Sequence, residues 1–144
     1  MTADSTKSNG FSARNTVLRP GADPQALAGI AKVNMATGQL QRFYTGPTPS
    51  NGAVLATAGN LIFWGDRDRR FRAFDADTGK VLWETILGSG IMMSTITYGV
   101  NGKQYIAVLT GESWVGQTGR DLVPRLNVSR PLNTAYVFAL PDLK

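Results

Sequence analysis

Two pairs of closely spaced carboxylates, Asp66 with Asp68 and Asp75 with Asp77, are among the side chains here whose type suits acid–base work or metal ligation. Neither pair is set up for it. Asp66 and Asp68 are interleaved with Arg67, Arg69, Arg70 and Arg72 in a run that reads as a solvated turn between two strands, and Asp75 and Asp77 belong to a tight turn. The 144 residues include no His and no Cys. A Cys/His zinc site, a disulfide framework, a cysteine nucleophile, a Ser-His-Asp triad and a histidine general base are therefore all excluded from this chain. The net charge of +5, from 15 Lys and Arg against 10 Asp and Glu, does not point to nucleic acid. A phosphate footprint needs basic charge gathered on one face, whereas here the densest run carries its own carboxylates and the other basic residues are scattered.

The elements that position these residues are short. A hydrophobic content of 42% suffices for a core, and 16 glycines make the composition rich in turns. No apolar stretch approaches the roughly 18–20 residues of a membrane-spanning helix. The first ten residues lack the apolar core of a signal peptide, so no export signal is expected in the chain. Residues 1–25 have no periodicity and are read as a flexible arm. From there on, β-type runs alternate with glycine turns. Strands are expected at 29–34, 39–44, 53–58, 61–64, 71–75, 81–87, 94–98, 104–109 and 135–140, and no window has a helical face. Ala58-Gly59-Asn60, Asp77-Thr78-Gly79, Gly88-Ser89-Gly90 and Asn101-Gly102 are each read as hairpin chemistry supplying positive φ.

A repeat organises the strands. Met35-Ala36-Thr37-Gly38-Gln39 and Ala76-Asp77-Thr78-Gly79-Lys80 lie 41 residues apart, with Asn34 in the place of Asp75. A period of roughly 40–45 residues built from four short strands is the spacing of a β-propeller blade. The expected fold is all-β. About two blades of a propeller would span 26–144, as a half blade at 29–44, a complete blade at 51–87 and an incomplete blade at 94–140. A closed ring needs at least about four blades, so the chain is expected to be part of one.

Within the complete blade stand Ala73, Asp75, Thr78, Gly79, Trp83 and Gly88, spaced Ala-x-Asp-x-x-Thr-Gly-Lys-x-x-Trp-x-x-x-x-Gly. Asp75 and Thr78 can hydrogen-bond the backbone of a tight turn, and Gly79 can take left-handed torsions there. Trp83 is a large plate suited to wedging between sheets. This pattern resembles the tryptophan-docking motif of the pyrroloquinoline quinone (PQQ) dehydrogenases, which joins neighbouring blades and performs no chemistry. The segment 50–63, the run Gly88-Ser89-Gly90-Ile91, the pair Thr97-Tyr98, the run 101–108 and the strand at 136–140 resemble the last two blades of the quinoprotein alcohol and methanol dehydrogenases.

The resemblance implies the C-terminal part of an eight-bladed, periplasmic PQQ-dependent alcohol dehydrogenase that oxidises primary alcohols and passes electrons to a cytochrome. PQQ would sit over Ca²⁺ or a lanthanide. The metal ligands and the catalytic Asp would come from blades this chain lacks, so no residue of the chain is assigned as catalytic. Asn51, at the start of the inner strand, and Trp114, in the loop after Gly111, are the two positions that the resemblance places beside the cofactor. The partner implied is a larger quinoprotein chain supplying the other blades, or further copies of this one. The alternative is a propeller-derived scaffold or binding module without chemistry. Three further expectations follow. Trp83 should be mostly buried at a blade-to-blade contact. The isolated chain should not oxidise alcohols even with PQQ and Ca²⁺. The uncharged end strand and the apolar residues Ile96, Val108, Val137 and Phe138 should leave it short of a self-sufficient monomer.

Overall fold

The computed structural model describes residues 18–111, 123 and 132–140. Nine strands form three antiparallel sheets, and no helix occurs among the described residues. Sheet 1 pairs β1 (Ala28–Val33) with β2 (Leu40–Gly46). Sheet 2 runs in the order β3 (Leu55–Ala56), β4 (Leu61–Gly65), β5 (Arg70–Asp75) and β6 (Val81–Ile86), and sheet 3 in the order β7 (Thr95–Val100), β8 (Lys103–Thr110) and β9 (Thr134–Ala139). All nine expected strands are present. Their bounds move by a residue or two, except that β3 shrinks to Leu55–Ala56 and leaves 51–54 as irregular chain.

The repeat folds twice in the same way. Asp75 Oδ1 accepts from the Asp77 and Thr78 amides at 3.1 and 2.8 Å and from Thr78 Oγ1 at 2.8 Å. In the first copy, Asn34 Oδ1 accepts from the Ala36 and Thr37 amides at 2.9 and 3.2 Å. Each turn closes on a left-handed glycine, Gly38 at φ 71° and Gly79 at φ 74°. The turns at Asn60 (φ 59°) and Asn101-Gly102 (φ 50° and 76°) are likewise left-handed, as their sequences require.

Gly88-Ser89-Gly90 is a correction. It makes no hairpin, and neither glycine is among the positive-φ residues; the segment links sheet 2 to sheet 3. Its chemistry is close approach: a Cβ on Gly88 would stand 2.7 Å from the Tyr136 hydroxyl, to which the Gly88 amide donates at 3.0 Å.

Sheet 2 is the middle layer, covered on both faces, which is why β4 reads as a nearly continuous apolar run, Leu61-Ile62-Phe63-Trp64. Ile62, Trp64 and Phe74 pack with Ile30 of sheet 1, flanked by Phe43 and Tyr44. On the opposite face Phe71 packs with Leu87, Ile91 and sheet 3's Ile106 and Val108, flanked by Phe63, Tyr136 and Phe138. Phe71 and Phe74 are fully buried, each worth about 1.5–3 kcal/mol of transfer free energy. The four apolar residues singled out in sheet 3 divide by face. Val108 and Phe138 turn inward to the core, while Ile96 and Val137 are each 54% exposed.

The expected solvated arginine turn is corrected in part. Arg69 is exposed and Arg70 and Asp68 half-exposed, but Asp66 and Arg72 are buried. Trp83 corrects a second expectation. It does meet the neighbouring sheet, edge-on to Phe138 of β9 at 5.3 Å and to Phe71 at 6.2 Å, yet it remains 40% exposed. The reason is positional: β6 is the outermost strand of sheet 2, and sheet 3 has no fourth strand among the described residues to reach over the indole.

Candidate functional site

Four connections meet at one end of the sheets. The residue 49 carbonyl of the link from sheet 1 accepts the Arg67 amide at 3.4 Å, which ties that link to the β4–β5 loop. The loop carries on to the next link, since the Ile91 amide donates to Asp66 O at 2.9 Å and the Leu87 amide to Arg69 O at 2.8 Å. The Gly111 amide donates to Gly90 O at 3.0 Å and adds the end of β8. Asn51 lies at this end, exposed, between Ser50, whose hydroxyl donates to Gly65 O at 2.5 Å, and Gly52, whose amide donates to Ser50 Oγ at 3.2 Å. It stands in the irregular segment before β3 rather than in the inner strand itself. Trp114 lies outside the described residues; Gly111, the last described residue before it, belongs to this end.

Beneath that end is a charged network that sequence reading missed. Arg72 Nη1 meets Asp66 Oδ2 at 2.7 Å, Arg72 Nε meets Glu84 Oε2 at 2.6 Å, and Arg70 Nη1 meets Glu84 Oε1 at 2.5 Å. The Arg72 guanidinium also lies 5.7 Å from the centre of the Tyr44 ring, so sheet 1 contributes a cation–π wall. Burial pushes the Asp66 carboxyl above its ordinary range, against the lowering influence of Arg72. Burial also acts to raise Glu84, but its bonds to Arg72 and Arg70 prevail and hold it low. Desolvation works against the Arg72 cation, and the Asp66 partnership overcomes it, raising its pKa further. Tyr44 is raised by burial. A carboxylate walled in by its own arginine holds a loop in place; it is not presented to a substrate. The available signal was cross-strand: Arg72 pairs with Glu84 in the β5–β6 register, and Arg70 and Arg72 share a face by alternation.

The docking-motif positions fall on two different seams. Asp75, Thr78 and Gly79 form the β5–β6 turn, which presses on sheet 1: a Cβ at Gly79 would come within 2.1 Å of Phe43 O, and Lys32 Nζ of β1 donates to Ala76 O and Asp77 O at 3.3 and 3.2 Å. Hydrogen bonds from Thr78 hold the Asp75 carboxyl below the ordinary range. Ala73, opposite Trp83 in the β5–β6 register, Trp83 itself and Gly88 face sheet 3. No group of three or more His, Cys, Asp or Glu that could hold a metal ion occurs among the described residues. No helix among them is long and apolar enough to cross a membrane.

Residues 25–106 match the family described as PQQ-dependent glucose/ethanol/alcohol dehydrogenase, β-propeller domain. The chain is 48% identical over 114 residues to the quinoprotein alcohol dehydrogenase PedE of Pseudomonas putida, covering 78% of this chain and 18% of that protein. It is 43% identical over 93 residues to 1-butanol dehydrogenase (cytochrome c) of Thauera butanivorans, covering 65% and 13%. Among solved structures, a europium-containing methanol dehydrogenase superposes with a TM-score of 0.60 at 30% identity, over 75% of this chain and 22% of that one. The chain thus spans less than a fifth of the length of these two relatives.

Proposed function

We propose that this chain, which belongs to the PQQ-dependent glucose/ethanol/alcohol dehydrogenase β-propeller family, is the C-terminal propeller segment of a periplasmic enzyme oxidising primary alcohols. The observation that carries this reading is the bonded end of the sheets, which presents Asn51 and includes Gly111, three residues before Trp114 in the sequence. The exposed Asn51 amide is suited to donate to a quinone or carboxylate oxygen of PQQ, and Trp114 would border the same ligand. When bound, PQQ supplies the two-electron oxidant. The described residues do not fit its metal, since no carboxylate cluster is present among them. Ca²⁺ or a lanthanide, like the catalytic base, would be held by blades outside these residues.

In this reading Asp75, Thr78, Gly79 and Trp83 act as inter-blade glue, consistent with the contacts to Phe43 and Phe138. Electrons would leave to a cytochrome, as the name of the Thauera relative indicates for that protein. The scaffold reading draws on the absence of a metal-binding cluster among the described residues, and the same experiment separates the two. Affinity-tagged chain from its source is analysed by native mass spectrometry and by dye-linked alcohol oxidation. Co-purification of a quinoprotein several times its length, with turnover only in the complex, is expected. Turnover by the isolated chain with PQQ and Ca²⁺, or a partner-free chain, would refute it.

A further inference from the structure

We propose that Ser50 is a positioning residue, whose hydroxyl fixes the backbone of Asn51 and so sets the direction in which the Asn51 carboxamide is offered to a ligand. The inference rests on the reading that Asn51 borders PQQ, and adds the group that holds it there. Ser50 Oγ donates to Gly65 O at 2.5 Å and accepts the Gly52 amide at 3.2 Å. One hydroxyl thus ties the residue after Asn51 to the residue before it, and both to the end of β4. A serine bonded to the backbone two residues on is a turn-forming device in its own right.

The neighbours are held independently. The Pro49 carbonyl accepts the Arg67 amide at 3.4 Å, and the Ala53 amide donates to Met93 O at 3.3 Å. Gly52 is seated too tightly for a side chain, since a Cβ there would stand 3.0 Å from Ile91 O and 3.5 Å from Gly65 O. Asn51 is the exposed residue between these ties. The anchor itself is firm. Gly65 leads directly into buried Asp66, whose Oδ1 accepts the Arg70 amide at 3.2 Å and whose Oδ2 holds Arg72. An asparagine side chain offers two N–H donors and one carbonyl acceptor. A ligand edged with quinone and carboxylate oxygens gains most from such a group when its backbone is ordered beforehand, because the ordering cost then falls outside the binding step.

The test uses the full chain, isotope-labelled for NMR, with Ser50→Ala and Ser50→Thr. In the parent and in Ser50→Thr the Asn51 backbone should be rigid, with an order parameter of about 0.85. In Ser50→Ala it should fall below about 0.6. The Gly52 amide should then exchange about tenfold faster or more, while the β5 amides keep their protection. PQQ affinity, titrated on the Asn51 carboxamide resonances, should weaken about fivefold or more in Ser50→Ala, the cost of reordering one residue's backbone, and return in Ser50→Thr. The proposal is overturned if Asn51 is already mobile in the parent, if Ser50→Ala leaves its order or its PQQ affinity unchanged, or if Ser50→Thr fails to restore them. Loss of β5 protection in Ser50→Ala would also overturn it, by making Ser50 a residue of the fold. A PQQ titration without response in the parent would refute the assignment of Asn51 to the cofactor and leave the order measurements standing.

Discussion

Replacing Arg72 with Met should cost about 3–5 kcal/mol, because removing one member of a buried ion pair leaves an uncompensated charge. The geometry places this site at the costly end. The Arg72 and Asp66 side chains are 8% and 3% exposed, and the guanidinium also serves Glu84 and the Tyr44 ring. Glu84 is a third exposed, so water screens most of what it loses. Asp66 has no such relief. A double variant with Asp66→Asn should recover about 1–3 kcal/mol, as coupled neighbours do.

The sign of the pH dependence is specific. Asp66 is already raised, so the folded chain binds its proton more tightly than the unfolded chain, and this group's contribution to stability falls as pH rises. Without Arg72 it rises further, and the penalty of the variant should shrink on acidification from about pH 7 to about pH 5, opposite to ordinary acid unfolding. Urea denaturation followed by far-UV circular dichroism, at fixed chain concentration, measures both. A loss below about 1 kcal/mol, or one that grows on acidification, would mean that Asp66 is solvated and the network is not what holds the loop.

Gly38→Ala and Gly79→Ala form a matched pair from the repeat. Both glycines are left-handed, at φ 71° and 74°, which alone costs an alanine about 1–2 kcal/mol. Nothing lies within 4 Å of a Cβ at Gly38, whereas one at Gly79 collides with Phe43 O at 2.1 Å, so the second variant should lose at least about 2 kcal/mol more, by denaturation or loss of soluble yield. Equal losses would show that the turn is not seated on sheet 1. Arg69→Gly should stabilise by about 0.5–1 kcal/mol, since an exposed arginine at φ 66° carries strain that glycine does not. A melting temperature that falls instead would assign the arginine side chain a contact that offsets the strain.

How much was legible depended on range. Strands and turns were, because alternation and Asn-Gly or Thr-Gly pairs act over a few residues: Asn101-Gly102 can close little else. The repeat was legible as well, Asn34 accepting the same two turn amides as Asp75. What escaped was long-range pairing. A run of alternating Asp and Arg looks solvated until strand register sets Arg72 opposite Glu84 and under Tyr44 from another sheet. Gly88 escaped in part for the same reason, its small size being set by Tyr136 48 residues away. Of the two cofactor positions, Asn51 is exposed where the links gather, and Trp114 lies outside the described residues.

The adhesive groups of the middle sheet point in opposite directions, its turn toward the sheet before and its tryptophan toward the sheet after. The inheritable module is therefore offset from the visible one. A recombination event that swapped sheet 2 alone would disrupt two seams at once, parting Gly79 from Phe43 and Trp83 from Phe138. One that ran from the later strands of one sheet through the later strands of the next, such as β2 to the Gly79 turn, would keep a complete seam intact. The natural unit of exchange in such a chain is the joint rather than the blade.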